Sequence, residues 1–183
     1  IALATTAFMV DANSDGYRDL VVSGTKCGAS SVVELYLNSG SNAFRLASSA
    51  ENPFHQIRVP NAGRRKCNGV LFMADVNGDS YDDVLIGTST GIIAFWPNSG
   101  YNTFPTEDKA SNPFGGIDVG DYAAPIMFDL NGDGHLDLIV GGCSYDRGAT
   151  SQCLPNTGKL NVWFNSGSNT FPSMAALLPH QFP

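Results

Sequence analysis

Residues 129–142 read DLNGDGHLDLIVGG, a run of alternating polar groups that passes straight into apolar residues. The same pattern begins at Asp11 (DANSDGYRDLVVSG) and at Asp75 (DVNGDSYDDVLIGT). Aligned, the three stretches read D-x-N-x-D-[GS]-[YH]-x-D followed by Leu or Val. The agreement continues beyond the acidic stretch. Each copy leads to an apolar segment ending in Asn-Ser-Gly, as ELYLNSGSNAF, AFWPNSGYNTF and NVWFNSGSNTF. Self-similarity at a fixed period of this size marks a repeat architecture. The chain therefore divides into three copies of one unit, 1–63, 64–120 and 121–183.

Three carboxylates within nine residues repel one another unless a positive charge sits between them. Alternate spacing lets a tight loop turn the side chains at positions 1, 3 and 5 toward one point, and position 7 can add its carbonyl. Oxygen-only donors suit a hard cation. Calcium takes about six to eight oxygens, whereas magnesium demands a stricter octahedron and keeps its waters, so calcium is the expected ion at each loop. The candidate ligands of the first loop are Asp11, Asn13, Asp15, the carbonyl of Tyr17, and Asp19. Those of the second are Asp75, Asn77, Asp79, the carbonyl of Tyr81, and Asp83. Those of the third are Asp129, Asn131, Asp133, the carbonyl of His135, and Asp137. Gly16 and Gly134 relax the sharp turn at position 6, where Ser80 is expected to strain the second loop. An EF-hand needs a bidentate Glu at position 12 and flanking helices. Position 12 here is Val22, Ile86 or Val140, so Asp19, Asp83 and Asp137 are expected to close the loop instead.

The flanks are short apolar, β-branched runs bounded by Gly, which read as buried strands. Each unit is predicted to hold four strands. The first covers 7–10, 70–74 and 125–128, and the second 20–23, 84–87 and 138–141. The third covers 32–37, 92–96 and 160–164, and each carries an aromatic two residues before the Asn: Tyr36, Trp96 or Trp163. Asn-Ser-Gly then makes a turn, since Asn and Gly accept positive φ. The fourth strand is expected to start near Phe44, Phe104 and Phe171. Helical periodicity is absent.

Four antiparallel strands repeated at this spacing suit an all-β fold of β-propeller-type blades, three four-stranded units with a calcium loop in each. On the acidic loops, and on NPFGGIDVGDYAAPIMFDLNGDG with its Phe-Gly and Ala-Ala-Pro landmarks, the chain resembles the FG-GAP/VCBS calcium-binding repeats of integrin-α-like propellers. The resemblance implies a structural calcium loop between the first two strands of a blade. Its departures are Asn at the third loop position and Ser80 at the sixth. Three blades are too few to close a ring, so further blades or other copies are expected as partners.

Ten of the 17 acidic residues lie in the three loops, and the net charge is −7. An acidic chain with 10 Lys and Arg is a poor nucleic-acid binder. The one basic cluster, Arg64-Arg65-Lys66, reads as a solvated loop. No apolar run reaches the ~20 residues of a membrane helix. The chain starts abruptly in what reads as a strand, as a mature product or an excised piece would.

Phe44, Phe104 and Phe171 lie 33, 29 and 42 residues beyond the start of their acidic loops. The extra length falls between the second and third strands, where Cys27, Cys143 and Cys153 sit; Cys67 lies in the connection to the second unit. A Cys143–Cys153 staple and a Cys27–Cys67 bridge are the expected pairings among three possible ones. No C-x-x-C spacing supports a zinc site. Disulfides with weak calcium sites point to an extracellular or cell-surface setting. There is no N-x-[ST] sequon.

The expected function is a non-catalytic, calcium-stabilised module for protein–protein interaction, adhesion or surface assembly, since loops on rigid scaffolds carry binding. The alternatives are a glycan-binding lectin, with Tyr36, Trp96 and Trp163 as stacking aromatics, or an accessory propeller domain of an extracellular enzyme. The strand position of those aromatics favours core packing instead. His55, His135 and His180 stand apart, and no nucleophile–base pair or acid pair lies outside the metal loops. His135 is expected to offer a carbonyl and leave its ring exposed.

Overall fold

The computed structural model describes residues 6–23, 33–41, 43–58, 69–105, 112–145, 153–171 and 174–175. Cys27, Cys67, His180 and Arg64-Arg65-Lys66 lie outside them. The fold is all-β, with one short 3-10 turn, Pro53–Gln56, among the described residues.

Strands β1 (Thr6–Val10), β2 (Asp19–Ser23), β3 (Glu34–Asn38) and β4 (Phe44–Leu46) form the first antiparallel sheet in sequence order. β5 (Val70–Ala74), β6 (Asp83–Gly87) and β7 (Ile93–Trp96) form the second. β8 (Asp121–Phe128), β9 (Asp137–Tyr145), β10 (Cys153–Trp163) and β11 (Met174–Ala175) form the third. In each sheet the acidic loop joins the first and second strands, so its ends stay one hydrogen-bonded pair apart: Val10 opposite Asp19, Ala74 opposite Asp83, Phe128 opposite Asp137.

The predicted strands differ from this in four places. The second sheet has three strands among the described residues: Phe104 lies in irregular chain, buried as a core side chain. The last strand of the third sheet starts at Met174, beyond Phe171. β8 starts four residues before Pro125, because its early residues bond to the neighbouring sheet: the Ala123 N–H donates to the Thr88 carbonyl at 2.9 Å. The insertion between the second and third strands of the last unit is an extension of β9 and β10, with a bulge between Cys153 and Gly158.

The sheets stack, and the period-2 alternation of each strand divides its side chains between two layers. β6 is buried along its whole length. Its Val84 and Ile86 join Trp96 against Val21, Leu35 and Leu37 of the first sheet. Its Leu85 joins Phe95 against Met127, Leu138 and Trp163 of the third. A repeated Asn-Pro-Phe-x-x-Ile segment seals each layer. Asn52 accepts the Phe54 N–H and donates to the Val33 carbonyl, both at 2.9 Å; Asn112 treats Phe114 and Ile93 in the same way and at the same distances. Phe54 and Phe114 are thereby driven into the two layers, each contributing about 1.5–3 kcal/mol relative to exposure. No helix among the described residues is long and apolar enough to cross a membrane.

Close approach of the second and third sheets depends on Gly87. A Cβ there would lie 2.2 Å from the Ala123 carbonyl oxygen and 2.5 Å from Pro125 Cδ. Gly87→Ala is therefore expected to destabilise the protein by about 1–3 kcal/mol through overpacking. Gly116→Ala, where a Cβ meets nothing within 4 Å, should stay near neutral. Urea midpoints measured side by side check this, and equal midpoints would refute close packing at Gly87.

Candidate metal centre

The three acidic loops share a common set of hydrogen bonds. The position-1 carboxylate accepts two backbone N–H groups in every loop, and in the second and third it also accepts the position-4 N–H of Gly78 or Gly132 at 2.7 Å. Asp11 takes those of Asp15 (3.1 Å) and Gly16 (2.9 Å). Asp75 takes those of Asp79 and Ser80, and Asp129 those of Asp133 and Gly134. The position-3 amide bridges to position 5, donating from Asn13, Asn77 and Asn131 to Asp15, Asp79 and Asp133, each at 2.9 Å. The position-5 carboxylate then caps the position-7 N–H, again at 2.9 Å in every loop. For Asp133 this bond, the first cause, and the Asn131 amide hold the carboxyl below its ordinary value.

Positive φ occurs at two positions of each loop. Position 4 is Ser14 (61°), Gly78 (79°) or Gly132 (76°), and position 6 is Gly16 (87°), Ser80 (71°) or Gly134 (87°). The first and second loops thus each hold one serine in the left-handed region, and the third holds two glycines. The strain expected at Ser80 has a counterpart at Ser14, which the sequence reading did not single out.

Position 9 differs from the rest. Asp19, Asp83 and Asp137 are fully buried. Asp19 Oδ2 accepts the Ala12 N–H at 3.0 Å, and its Oδ1 accepts the Asn38 N–H at 2.8 Å. Asp83 accepts from Val76 (3.0 Å) and Asn98 (2.7 Å), and Asp137 from Leu130 (3.0 Å) and Asn165 (2.9 Å). Each ties the start of its loop to the Asn of Asn-Ser-Gly at the end of the third strand. That Asn is buried too, and it donates back to the position-8 carbonyl of Arg18, Asp82 or Leu136. Its Oδ1 accepts the N–H of the following Gly. The position-7 ring lies over that glycine: a Cβ on Gly40 would lie 2.5 Å from Tyr17, on Gly100 3.4 Å from Tyr81, and on Gly167 2.8 Å from His135.

The structure thus links positions 1, 3 and 5 at the rim of each loop, position 1 half-buried and positions 3 and 5 exposed, and sets the fully buried position 9 beneath them. Among the described residues no group of three His, Cys, Asp or Glu side chains is placed to hold a metal ion by itself. The rim sets combine carboxylate and amide side chains, and this oxygen-donor chemistry fits a hard cation. Trp96 and Trp163 are buried in the two core layers and Tyr36 is half-buried, so the two tryptophans serve packing. His55 is an exposed residue of the 3-10 turn, and the exposed His135 ring covers Gly167. The partnership between position 9 and Asn-Ser-Gly was missed from the sequence, although its threefold recurrence was the available signal.

Replacing a buried acceptor strands the amides it served. Asp137→Asn is expected to cost about 1–3 kcal/mol, because one backbone N–H then faces an amide N–H. Chemical denaturation in chelator measures it, and an unchanged midpoint would remove the structural role given to position 9. Burial, with Asp79 and Asp75 adding and the Asn98 and Val76 amides opposing, pushes the Asp83 carboxyl up to about 6. The folded state therefore holds this proton more tightly than the unfolded chain, whose Asp titrates near ~3.9. In chelator, this group should add stability as pH falls through about 6 toward 4. Thermal melts of wild type and Asp83→Asn across that range should diverge; parallel curves would contradict the assignment.

A comparison with curated proteins finds no match. A family model described as FG-GAP-like repeat matches residues 75–140. The match begins at the first aspartate of the second acidic loop and ends in β9, just past the third loop. Both ends fall on the elements built above, and over residues 75–140 this chain is similar to an FG-GAP-like repeat.

Proposed function

We propose that the chain is a non-catalytic, calcium-stabilised repeat module whose sheets are blades of the β-propeller type, acting outside the cell in protein–protein interaction, adhesion or assembly. The observation that carries this reading is the threefold recurrence of one oxygen-lined loop, with the second and third copies inside the FG-GAP-like match. Positions 1, 3 and 5, the carbonyl at position 7 and the outer lone pairs of position 9 would hold the ion. Bound calcium would supply the positive charge that each group of carboxylates lacks. The chain's own part is already built: backbone amides orient the rim carboxylates, and the buried Asp fixes the loop to its sheet.

An extracellular setting is supported by the cysteines. Cys143 is buried and its sulfur is not free. Strand register sets Cys153 opposite Tyr145, two residues from Cys143, in keeping with a local staple. Further blades or other protein chains are the partners this reading calls for.

Calorimetric titration of chelated protein with calcium tests the reading. Three ions per chain and a raised melting temperature are expected. Each site contributes about 2.7 kcal/mol at a hundredfold excess over Kd. The pair Asp75→Ala and Asp79→Ala should lower the stoichiometry to two. No heat, with identical melting in calcium and chelator, would overturn the proposal.

A further inference from the structure

The first acidic loop receives a hydrogen bond from the second unit. Asn102, 90 residues along the chain, donates its Nδ2 amide to the Ala12 carbonyl at 2.7 Å. Ala12 is position 2 of the first loop and is buried. Its N–H is the one that Asp19 accepts at 3.0 Å. The peptide bond entering Ala12 is therefore held by the loop's own base, and the one leaving it, toward Asn13 at position 3, is held by the neighbouring repeat. Tyr101 and Asn102 also border one groove with Ala12, Asn13 and Ser14.

Asn102 is in turn fixed to the second loop. Its Oδ1 accepts the Asn98 Nδ2 amide at 3.4 Å, and the Asn98 N–H is donated to Asp83 at 2.7 Å. A continuous run of hydrogen bonds thus passes from Asp83, through Asn98, Asn102 and Ala12, to Asp19. The turn that carries Asn102 is shaped for this reach. Gly100, Tyr101 and Asn102 take φ of 94°, 53° and 54° in succession. A tyrosine in the left-handed region is strained. Its ring meets that of Tyr81, position 7 of the second loop, at 6.4 Å between centroids. The Ser99 N–H closes the same turn on the Thr103 carbonyl at 2.9 Å.

The third unit supplies the comparison. Ser168 and Asn169 stand where Tyr101 and Asn102 stand. Asn169 is left-handed and Ser168 is not, and Asn169 Oδ1 likewise accepts the Asn165 amide, at 3.2 Å. Among the described residues, however, the Asn169 amide makes no bond to Val76, the counterpart of Ala12 in the second loop. We propose that Asn102 is a positioning residue for the first cation site, holding from the second repeat the peptide that sets Asn13 at the rim. This rests on the calcium reading above and gives the first loop a dependence on its neighbour that the second lacks.

Asn102→Gly tests it, because glycine removes the amide and accepts the left-handed backbone without new strain. Asn102→Asp is the second variant: it keeps the Oδ1 acceptor and tolerates the same φ, but turns an acceptor toward the Ala12 carbonyl. Asn169→Gly makes the same change in the third unit, where no bond crosses. Circular dichroism verifies folding. In chelator, the Ala12 amide should exchange its hydrogen about fivefold faster in both Asn102 variants, with Leu130 unchanged. Asn169→Gly should leave Ala12 at the wild-type rate.

Calcium affinity is then measured by calorimetry on proteins with one loop intact. Asp75→Ala with Asp129→Ala keeps the first loop, and Asp11→Ala with Asp75→Ala keeps the third. Adding Asn102→Gly should weaken the first loop about tenfold and leave the third unchanged. Unaltered exchange at Ala12, unaltered affinity in the first loop, or equal weakening of both loops would overturn the positioning role. Absence of binding heat in the first-loop protein before Asn102 is touched would overturn the metal reading and this role with it, so the two failures are told apart.

Discussion

The buried carboxylates of Asp19, Asp83 and Asp137 are the constraint on which the loops and sheet edges depend. Burying an ionised group is expensive unless hydrogen bonds replace its lost water. Here each carboxylate accepts one amide from the start of its loop and one from the end of the third strand. One side chain therefore joins three strands of a sheet at one edge. The balance is visible at Asp83, where desolvation outweighs the two amides and the carboxyl titrates at about 6.

That arrangement also explains residues that have no obvious place in a metal loop. The Asn of Asn-Ser-Gly must donate to the position-8 carbonyl and accept from the following Gly, so an amide is needed rather than an acid. The Gly must leave room for the position-7 ring, so Tyr17 and His135 can lie where a Cβ would otherwise sit. Position 8, whose carbonyl alone is used, is free to be Arg18, Asp82 or Leu136. Burial raises the Asp82 carboxyl and the nearby Asp75 adds to the rise, while Arg18 of the first loop opposes it.

Much of this was legible in the chain. The strands beside each loop are dense in β-branched and apolar residues, and the repeat fixed which copy to align with which. The start of β8 was not legible. Gly120 and Tyr122 both take positive φ, and Asp121 reads locally as part of a turn. The segment becomes a strand through bonds to the Thr88–Ser89 turn of the sheet beside it, a tertiary cause with no local signature. The extension of β9 and β10 was hidden for a similar reason, because Gly142 and Gly158 read as loop. A Cβ at Gly142 would lie 2.7 Å from Val119, so that glycine records close packing rather than a turn. At position 9 a ligand and a brace cannot be told apart from residue type, since both roles call for an aspartate.

The division between rim and base gives the repeat two separable layers. The base is satisfied by backbone amides, so the loop has a defined shape from the chain alone. The rim carboxylates are oriented by backbone amides, with position 1 half-buried and position 5 exposed. A cation at the rim would then act on a loop already shaped to receive it, with little ordering left to do. The first and third sheets each pack one face on the middle sheet, whose β6 is buried on both sides.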